Sequence, residues 1–349
     1  MNQRNKSGKV TIVDVAKKAG VSTMTISRVV NRDPKVKPST RKKVENAIVE
    51  LNYAPNVAAR ALKGSTVRRI CLLYGNPSSA YLGELLLGAL EAASEAGVHL
   101  VVERTDTAIN LESLEKHFES DWDAIIIPPP MSDLAGIRQL VAKHNFPAVF
   151  LSSATKPGRA NEIRIDDHLA AFEMTNALIS EGHTRIGFIK GNPNQSVSER
   201  RLQGYFFALT EAGLPIDDNL IRDGLFTYRS GGQATSQLMA LPSRPTAVFA
   251  SNDDMAAGAL ASAARHGIAV PTELTIAGFD DSPIATTIWP ALSTVRQPVA
   301  KMAKTAVEIV LHADAGKPPF KTIVMPHEII RRGTTLETES TDLSVDRPT

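Results

Sequence analysis

The sequence predicts an N-terminal all-α head with a helix-turn-helix unit, followed by an α/β body of two doubly wound parallel-sheet subdomains. Near the start, VTIVDVAKKAGVSTMTISRVVNRD places apolar residues at helical spacing on both sides of a glycine. From residue 70 onward, short β-branched strand patterns alternate with amphipathic helical patterns, as in repeated βα units. Charge divides the chain at the same place, because residues 1–69 hold 16 Lys and Arg against 4 Asp and Glu, whereas the rest holds 23 against 33. A basic head on an acidic body indicates a polyanionic partner for the head alone.

The bulk composition narrows the class of protein further. With 349 residues, 43% hydrophobic and 22% charged, the chain is long enough for two or three globular domains. No apolar run approaches the about 20 residues of a membrane-spanning helix, and no secretory signal follows the polar start. We therefore expect a cytoplasmic protein without membrane contact. The single cysteine, Cys71, excludes an intrachain disulfide and a multi-cysteine metal site, and its apolar surroundings (ICLLY) predict a buried structural thiol.

The head is predicted to contain three short helices. Thr11 is placed to cap the first helix and Gly20 to end it, and Ser22 then caps the second after a tight turn. The third helix follows Pro38. Two short helices around a glycine turn, braced by a third, form a helix-turn-helix unit. The apolar positions expected to hold it together are Val15, Ala16 and Ala19, then Ile26, Val29 and Val30, then Val44, Ala47, Ile48 and Leu51.

The second helix has a polar side opposite its apolar one, formed by Thr23, Met24, Ser27 and Arg28. In a helix-turn-helix unit the second helix enters the major groove of DNA and its N-terminal side chains meet base edges. Arg28 suits a guanine or a phosphate, and Met24 suits a base or a thymine methyl group. The alternative for Met24 is a loosely packed core position.

The segment NYAPNVAARALKGSTVRR follows the third helix. Asn56 can cap a short helix that runs to Leu62, and Gly64 can end it. A helix this short is marginal in water, so we expect it to order on DNA against a second copy of itself. Leu62 would then suit a wedge between base steps in the minor groove. The alternative is that residues 54–68 are a basic linker.

These two motifs resemble the DNA-binding head and hinge of the lactose/galactose repressor (LacI/GalR) family, and the similarity continues to about residue 336. The resemblance implies base-reading roles for Thr23, Met24 and Arg28, and a hinge helix with Leu62 at the operator centre. One departure is Lys37, which stands where the family usually has a serine cap. The residues expected to contact DNA are Thr11, Ser22, Thr23, Met24, Thr25, Ser27, Arg28, Asn31, Tyr53, Asn56, Ala59, Leu62 and Lys63. The implied divisions are a head (1–54), a hinge (55–67), a body (68–336) and a disordered tail (337–349).

The body lacks the usual motifs of catalysis. It contains no phosphate-binding glycine loop, no G-x-S-x-G elbow and no H-E-x-x-H zinc motif. Aspartate pairs at 166–167, 253–254 and 280–281 are better explained as polar groups that hold ligand hydroxyls at strand ends. Two doubly wound subdomains present the carboxyl ends of their strands to a shared cleft, where ligands bind. We predict an N-subdomain of about 68–161 and 296–323 and a C-subdomain of about 164–292 and 326–336, with chain crossings near 160–164, 291–296 and 323–328.

The body also resembles the family's sensor domain, which is similar to periplasmic sugar-binding proteins. Stretches such as GHTRIGFIKGNPNQSVSERRLQGYFFAL and IAGFDDSPIATTIWPALSTVRQP carry this resemblance. It implies an effector site formed by Ser79, Tyr81, Arg104, Asp166, Arg201, Phe226, Asn252, Asp280 and Gln297. In the empty cleft Arg201 can instead pair with Asp166, and the aromatic residues can belong to the core. A departure at Ser152–Ser153, where relatives often carry an aspartate, weakens the case for any specific sugar.

Together these features predict a repressor that binds a palindromic double-stranded DNA operator as a homodimer at the nucleoid. A small ligand between the subdomains, a sugar or glycoside, would control it allosterically. A purine or phosphorylated sugar acting as corepressor, or a cytoplasmic sugar-binding protein, are the alternatives. The sequence predicts no enzyme, no cofactor and no metal.

Overall fold

The computed structural model describes residues 12–30, 36–51, 68–105, 110–120, 122–153, 160–312 and 319–336. By its internal contacts the chain divides into two units, Met1–Val67 and Arg68–Thr349. The predicted hinge (55–67) and tail (337–349) lie outside the described residues, as does Thr11.

The N-terminal unit contains the three predicted helices: α1 Ile12–Ala19, α2 Thr23–Val30 and α3 Pro38–Glu50. Val15, Ile26 and Val44, one from each helix, are fully buried against one another. Each lies on the apolar side of an amphipathic helix, so burial of these three stripes holds the unit together. The predicted cap of α2 is confirmed, because Ser22 Oγ accepts a hydrogen bond from the Thr25 amide at 3.2 Å.

The first sheet of the second unit consists of β1 Arg69–Tyr74, β2 His99–Arg104, β3 Ala124–Ile127, β4 Ala148–Leu151, β5 Asn161–Arg164 and β11 Thr322–Val324. Its helices are α4 Ser79–Ala96, α5 Leu111–Ser120, α6 Ala135–His144 and α12 Val299–His312, with a 3₁₀ turn at Met131–Asp133. The strands pair in parallel in the order β11-β5-β4-β3-β1-β2. Alternate β1 residues enter different cores: Cys71 packs on the side of α5 and α6, and Leu72 on the side of α4 and α12. Cys71 is buried as predicted, and burial raises the pKa of its thiol.

The second sheet consists of β6 Ile186–Ile189, β7 Ile221–Arg222, β8 Ala247–Ala250, β9 Thr275–Asp280, β10 Ser293–Arg296 and β12 Glu328–Ile330. Its helices are α7 Asp167–Ser180, α8 Ser196–Glu211, α9 Tyr228–Met239, α10 Asp253–Arg265 and α11 Ile284–Thr287, with a 3₁₀ turn at Asp218–Leu220. The order is β12-β10-β9-β8-β6-β7, and all pairs are parallel except β12 with β10. The prediction of two parallel-sheet subdomains is confirmed, and the second sheet adds one antiparallel strand, β12, at its edge.

The chain passes between the two sheets three times, at residues 165–166, 297–298 and 325–327. Two of these crossings lie a few residues later than predicted. Strand β5 (161–164) belongs to the first sheet and β10 (293–296) to the second, because each pairs with its neighbours there before the chain leaves. The crossings are short connecting segments and not strands. In each sheet the strand order reverses beside the first strand, β1 or β6, and at such a point helices diverge and leave a crevice.

Candidate ligand cleft and DNA-binding surface

The second helix of the N-terminal unit separates its side chains into two faces. Ile26 and Val29 are buried, whereas Met24 is 63% exposed and Arg28 is exposed. Thr23 is half-buried beside Met24. A short helix that keeps a large thioether and a guanidinium in solvent, while its apolar side holds the fold, is suited to contact an external partner.

The remaining predicted DNA contacts are only partly described. Ser22 and Thr25 form a hydroxyl pair at 2.9 Å within the cap of α2. The side chain of Ser27 is not among the described atoms. Outside the described residues lie Thr11, Asn31, Tyr53, Asn56, Ala59, Leu62 and Lys63.

A cavity lies in the second unit where the carboxyl ends of the two sheets face each other. Both subdomains contribute to its wall, as expected for a ligand site in this class of α/β fold. It is lined by Asn76, Ser78, Tyr81, Pro129, Ser152, Gln195, Val197, Arg201, Phe226, Asn252, Asp280 and Gln297.

The structure brings six of the nine predicted effector residues to this cavity: Tyr81, Arg201, Phe226, Asn252, Asp280 and Gln297. The other three lie elsewhere. Ser79 is exposed at the start of α4, where its neighbour Ser78 caps the helix and lines the cavity in its place. Arg104 is exposed at the end of β2, beside a separate surface groove. Asp166 caps α7 by accepting a hydrogen bond from the Leu169 amide at 3.1 Å.

Arg201 is held from three directions. Its Nε donates to Asp167 Oδ1 at 2.9 Å, its Nη1 donates to the Ser251 carbonyl, and its guanidinium carbon lies 3.5 Å from the centre of the Phe279 ring. The internal partner is thus Asp167 and not Asp166, because the first residue of α7 turns inward while the capping residue turns back on its own helix. Burial raises the pKa of Asp167, and the charge of Arg201 opposes this shift.

Asp280 lies at the end of β9 and faces the same guanidinium, with 4.0 Å between its Oδ1 and Arg201 Nη1. Gln297 Nε2 donates to Asp280 Oδ1 at 2.6 Å. Burial raises the pKa of Asp280 to about 7, against the lowering effects of Arg201 and Gln297. Behind it, Asp253 accepts hydrogen bonds from the Ser282 amide and the Thr294 hydroxyl, and burial together with the charge of Asp280 raises its pKa.

Backbone strain is concentrated at this cavity. Among the described residues, three that line it have positive φ: Ser152 (+46°), Phe226 (+58°) and Asp280 (+116°). L-residues adopt such angles at a cost of about 1–3 kcal/mol each, and they cluster at ligand sites because packing holds them there. Gly191 shows how Phe226 is fixed, since a Cβ at residue 191 would lie 2.0 Å from the ring.

Two amide side chains that line the cavity each have one polar atom without a partner among the described residues. Gln195 is 3% exposed and its Nε2 donor is unpaired, and Gln297 is 5% exposed and its Oε1 acceptor is unpaired. A buried amide without a partner is costly, so such groups usually mark a site that a ligand or water completes.

Two carboxylates connect the subdomains across the cleft. Ser78 Oγ, on the first, donates to Asp254 Oδ2 on the second at 2.7 Å. Asp133, on the first, accepts hydrogen bonds from the Ser196 amide at 2.8 Å and the Ser196 hydroxyl at 2.7 Å. The cleft is therefore closed by direct polar contacts.

The predicted effector set omitted six lining residues: Asn76, Ser78, Pro129, Ser152, Gln195 and Val197. Three of them follow a strand within two residues, since Asn76 comes after β1, Pro129 after β3 and Ser152 after β4. Their position after a strand end in a doubly wound sheet was the available signal.

Comparison with known proteins agrees with this architecture. Residues 11–56 match the family of bacterial regulatory proteins of the lacI type, and residues 175–335 match a periplasmic binding protein-like domain. The chain is 35% identical over 326 residues to the HTH-type transcriptional regulator GalR of Escherichia coli K12, spanning 92% of this chain and 94% of that protein. It belongs to the LacI family of transcriptional regulators.

Two solved structures are similar over nearly the whole chain. The lac repressor dimer bound to operator and the anti-inducer ONPF matches with a TM-score of 0.79 and 28% identity, over 94% of this chain and 100% of that one. The complex of the transcriptional regulator CelR with cellobiose matches with a TM-score of 0.70 and 28% identity, over 93% of this chain and 100% of that one.

Within the part of the chain that the structure describes, no helix is both long and apolar enough to span a membrane. The same residues contain no group of three or more His, Cys, Asp or Glu side chains placed to hold a metal ion.

Proposed function

We propose that this protein is a sequence-specific repressor that binds a palindromic operator as a dimer, under the control of a small ligand held between its two subdomains. The ligand proposed is a sugar or glycoside. A regulator of this kind acts on DNA in the cytoplasm, at the nucleoid, and we assign it no catalytic step. The observation that carries the proposal is the pair of faces on α2, with Ile26 buried and Met24 and Arg28 exposed.

The head supports DNA binding through both shape and charge. Its three helices expose one side of α2, and residues 1–69 carry 16 basic against 4 acidic residues. Basic charge supplies the sequence-independent part of the affinity through phosphate contacts. Thr23, Met24 and Arg28 supply the base contacts that select the sequence. The lac repressor, to which the chain is similar, is solved on its operator as a dimer.

The cavity supports a hydroxylated effector. It combines the face of Phe226 with carboxylate, amide and hydroxyl groups, a composition that suits the apolar face and polar rim of a pyranose. The similar structures of CelR and the lac repressor contain cellobiose and ONPF, respectively.

The switch is proposed to act through the closure of the cleft. Ser78–Asp254 and Asp133–Ser196 join the subdomains, so a ligand that changes their spacing shifts the balance between open and closed states. In a dimer, that shift would change the distance between the two hinge segments (55–67). A coupling of about 1–3 kcal/mol is enough to change operator affinity some 5- to 150-fold.

An apolar surface on the first subdomain is proposed as the dimer face. Leu87 and Leu90, one turn apart on α4, are 64% and 52% exposed, and Val102 on the edge strand β2 is 45% exposed. Leu82 of the same helix shares a groove with Val102, so the helix and the strand edge form one surface. Exposed apolar groups on a helix and an open sheet edge are typical of a subunit interface.

The dimer face is tested by the molar mass in solution. Leu87→Lys is expected to give monomers by light scattering, whereas Ile216→Lys, at a 49% exposed position of the second subdomain, leaves the dimer intact. A Leu87→Lys variant that remains dimeric refutes this face.

DNA binding is tested by selecting palindromic duplexes from a random pool with the full chain and measuring affinity by fluorescence anisotropy. Arg28→Ala should weaken binding, and each lost phosphate contact should reduce the log–log salt slope by about 0.9. Arg229→Ala makes the same change of charge at an exposed position of the second subdomain and should leave affinity unchanged. The function proposed here is wrong if no sequence is enriched, or if both variants bind like the wild type.

A further inference from the structure

The charge that faces the cavity is already balanced before any ligand enters. Among the described residues Arg201 is the only cation that lines it. Two carboxylates face this guanidinium, Asp167 at 2.9 Å and Asp280 at 4.0 Å, and all three side chains are buried almost completely. A third carboxylate, Asp253, lies directly behind Asp280 and is fully buried. The net charge of these four buried side chains is therefore zero or negative.

Two of the five N–H groups of this guanidinium are already used within the protein. Its Nε and Nη1 donate to Asp167 and to the Ser251 carbonyl, and one face of its plane lies on Phe279. Strong phosphate sites present several unshared donors, commonly a paired fork of arginine N–H groups. An incoming phosphate that used the remaining N–H groups on Nη1 and Nη2 would lie close to Asp280, whose Oδ1 is 4.0 Å from Nη1, and like charges in a buried site repel strongly.

The unpaired groups in the cavity wall suit an uncharged ligand that carries hydroxyl groups. Gln195 Nε2 needs an acceptor and Gln297 Oε1 needs a donor. A hydroxyl group supplies both roles, since it donates one hydrogen bond and accepts two. Phe226, which is 5% exposed, lines the same cavity and offers it an apolar ring.

We propose that the effector is an uncharged, hydroxyl-bearing ring whose hydroxyls pair with Gln195 and Gln297, and that the site excludes the phosphorylated forms of such molecules. This inference rests on the proposed effector site and narrows the set of candidate effectors. It excludes phosphorylated sugars and nucleotides and keeps free sugars and nucleosides. Gln195 and Gln297 act here as the residues that determine specificity.

The first experiment measures the unfolding temperature of the full chain with matched neutral and anionic probes. The pairs are glucose with glucose 6-phosphate, galactose with galactose 6-phosphate, and adenosine with AMP; inorganic phosphate is added at constant ionic strength. A ligand at 100 times its dissociation constant should raise the unfolding temperature by about 5 °C or more. No anionic probe is expected to do so in the wild type. Stabilisation of this size by any of the phosphorylated probes, or by inorganic phosphate, overturns the inference.

The second experiment needs no ligand. Gln195→Met keeps the side-chain length and removes the unpaired amide, so the unfolding temperature of the free protein should stay within about 1 °C of the wild type or rise. Gln203→Met, at an exposed position of α8, the helix that begins directly after Gln195, is the reference; it removes an amide that donates to Glu199 at 3.0 Å. A fall of more than about 3 °C relative to Gln203→Met shows that the amide serves the fold, and this too overturns the inference.

The two proposals fail in different ways. If the chain selects no palindromic DNA but still excludes every anionic probe and tolerates Gln195→Met, the repressor function is wrong and the ligand inference stands. If operator binding is present and responds to a sugar phosphate or a nucleotide, the function stands and the ligand inference is wrong.

Discussion

Replacing Arg201 by methionine should destabilise the second unit by about 3–5 kcal/mol, the usual cost of removing one partner from a buried ion pair. Three features of the structure place it in this range. Arg201 and Asp167 have side chains only 4% and 6% exposed, the Ser251 carbonyl loses its donor, and the Phe279 ring loses its cation. Asp167 would then be buried without a counter-charge, so protonation would partly relieve the cost.

The assay is thermal unfolding of the full chain by calorimetry. At about 2 °C per kcal/mol for a unit of this size, Arg201→Met should lower the unfolding temperature of the larger transition by about 6–10 °C. Arg200→Met, half-buried one position earlier on α8, is the matched control and should change it by less than about 2 °C. Asp167→Asn should cost less than Arg201→Met, because Asp280 remains 4.0 Å from the guanidinium. If Arg201→Met unfolds within about 2 °C of Arg200→Met, the pair is not the electrostatic centre described above.

Three further changes test other parts of the molecule. Gly88→Ala should destabilise the second unit by about 1–3 kcal/mol, because its Cβ would lie 1.8 Å from the Ala300 carbonyl oxygen of α12. Gly83→Ala, on the same helix as Gly88, meets no atom within 4 Å and should stabilise the unit by about 0.5–1 kcal/mol. Equal denaturation midpoints for the two variants would contradict this packing. Ile26→Ala should unfold the first unit and abolish DNA binding, while the unfolding transition of the second unit stays in place. Met24→Ala should weaken DNA binding without unfolding the first unit. Calorimetry measures the unfolding transitions and fluorescence anisotropy measures DNA binding. Since the pKa of Asp280 is raised from 3.8 to about 7, the folded state holds an extra proton between these pH values and loses stability as the pH rises through them. The free energy of unfolding of the wild type, relative to that of Asp280→Asn, should therefore fall from pH 5 to pH 8. A difference that does not depend on pH would contradict the raised pKa.

Much of the fold could be predicted because hydrophobic periodicity and burial agree along most of the chain. The run RICLLY became strand β1, and its alternation placed Cys71 and Leu72 in different cores. The shorter strands are less clearly marked in the sequence for a physical reason. Strands β7, β11 and β12 have two or three residues each and lie at sheet edges, where half of the backbone is unpaired and few side chains are buried. Helix α9 is hard to recognise from large apolar residues, because five of its six buried residues are Ser, Gly, Ala or Thr.

The candidate site was predictable where a residue type and a strand end coincide, as for Asn252 and Asp280. It was not predictable where two adjacent residues compete for one role. Asp166 and Asp167 are chemically identical, and only the direction of the chain as it enters α7 decides which caps the helix and which reaches Arg201. The serine pair at 78–79 poses the same problem, since Ser78 caps α4 and lines the cavity whereas Ser79 is exposed.

The contacts that close the cleft involve the same helices that carry the ligand-facing groups. Asp133 accepts the amide of Ser196, the first residue of α8, and this helix carries Arg201 less than two turns further on. On the other side, Asp254 lies in the first turn of α10, two residues after Asn252, which caps that helix and lines the cavity. Helices are stiff over such short distances, so a shift of either N-terminus moves the side chains that line the cavity. In the proposed switch, filling the cavity and closing the cleft would therefore be coupled, and a ligand that fits only the closed arrangement would stabilise it.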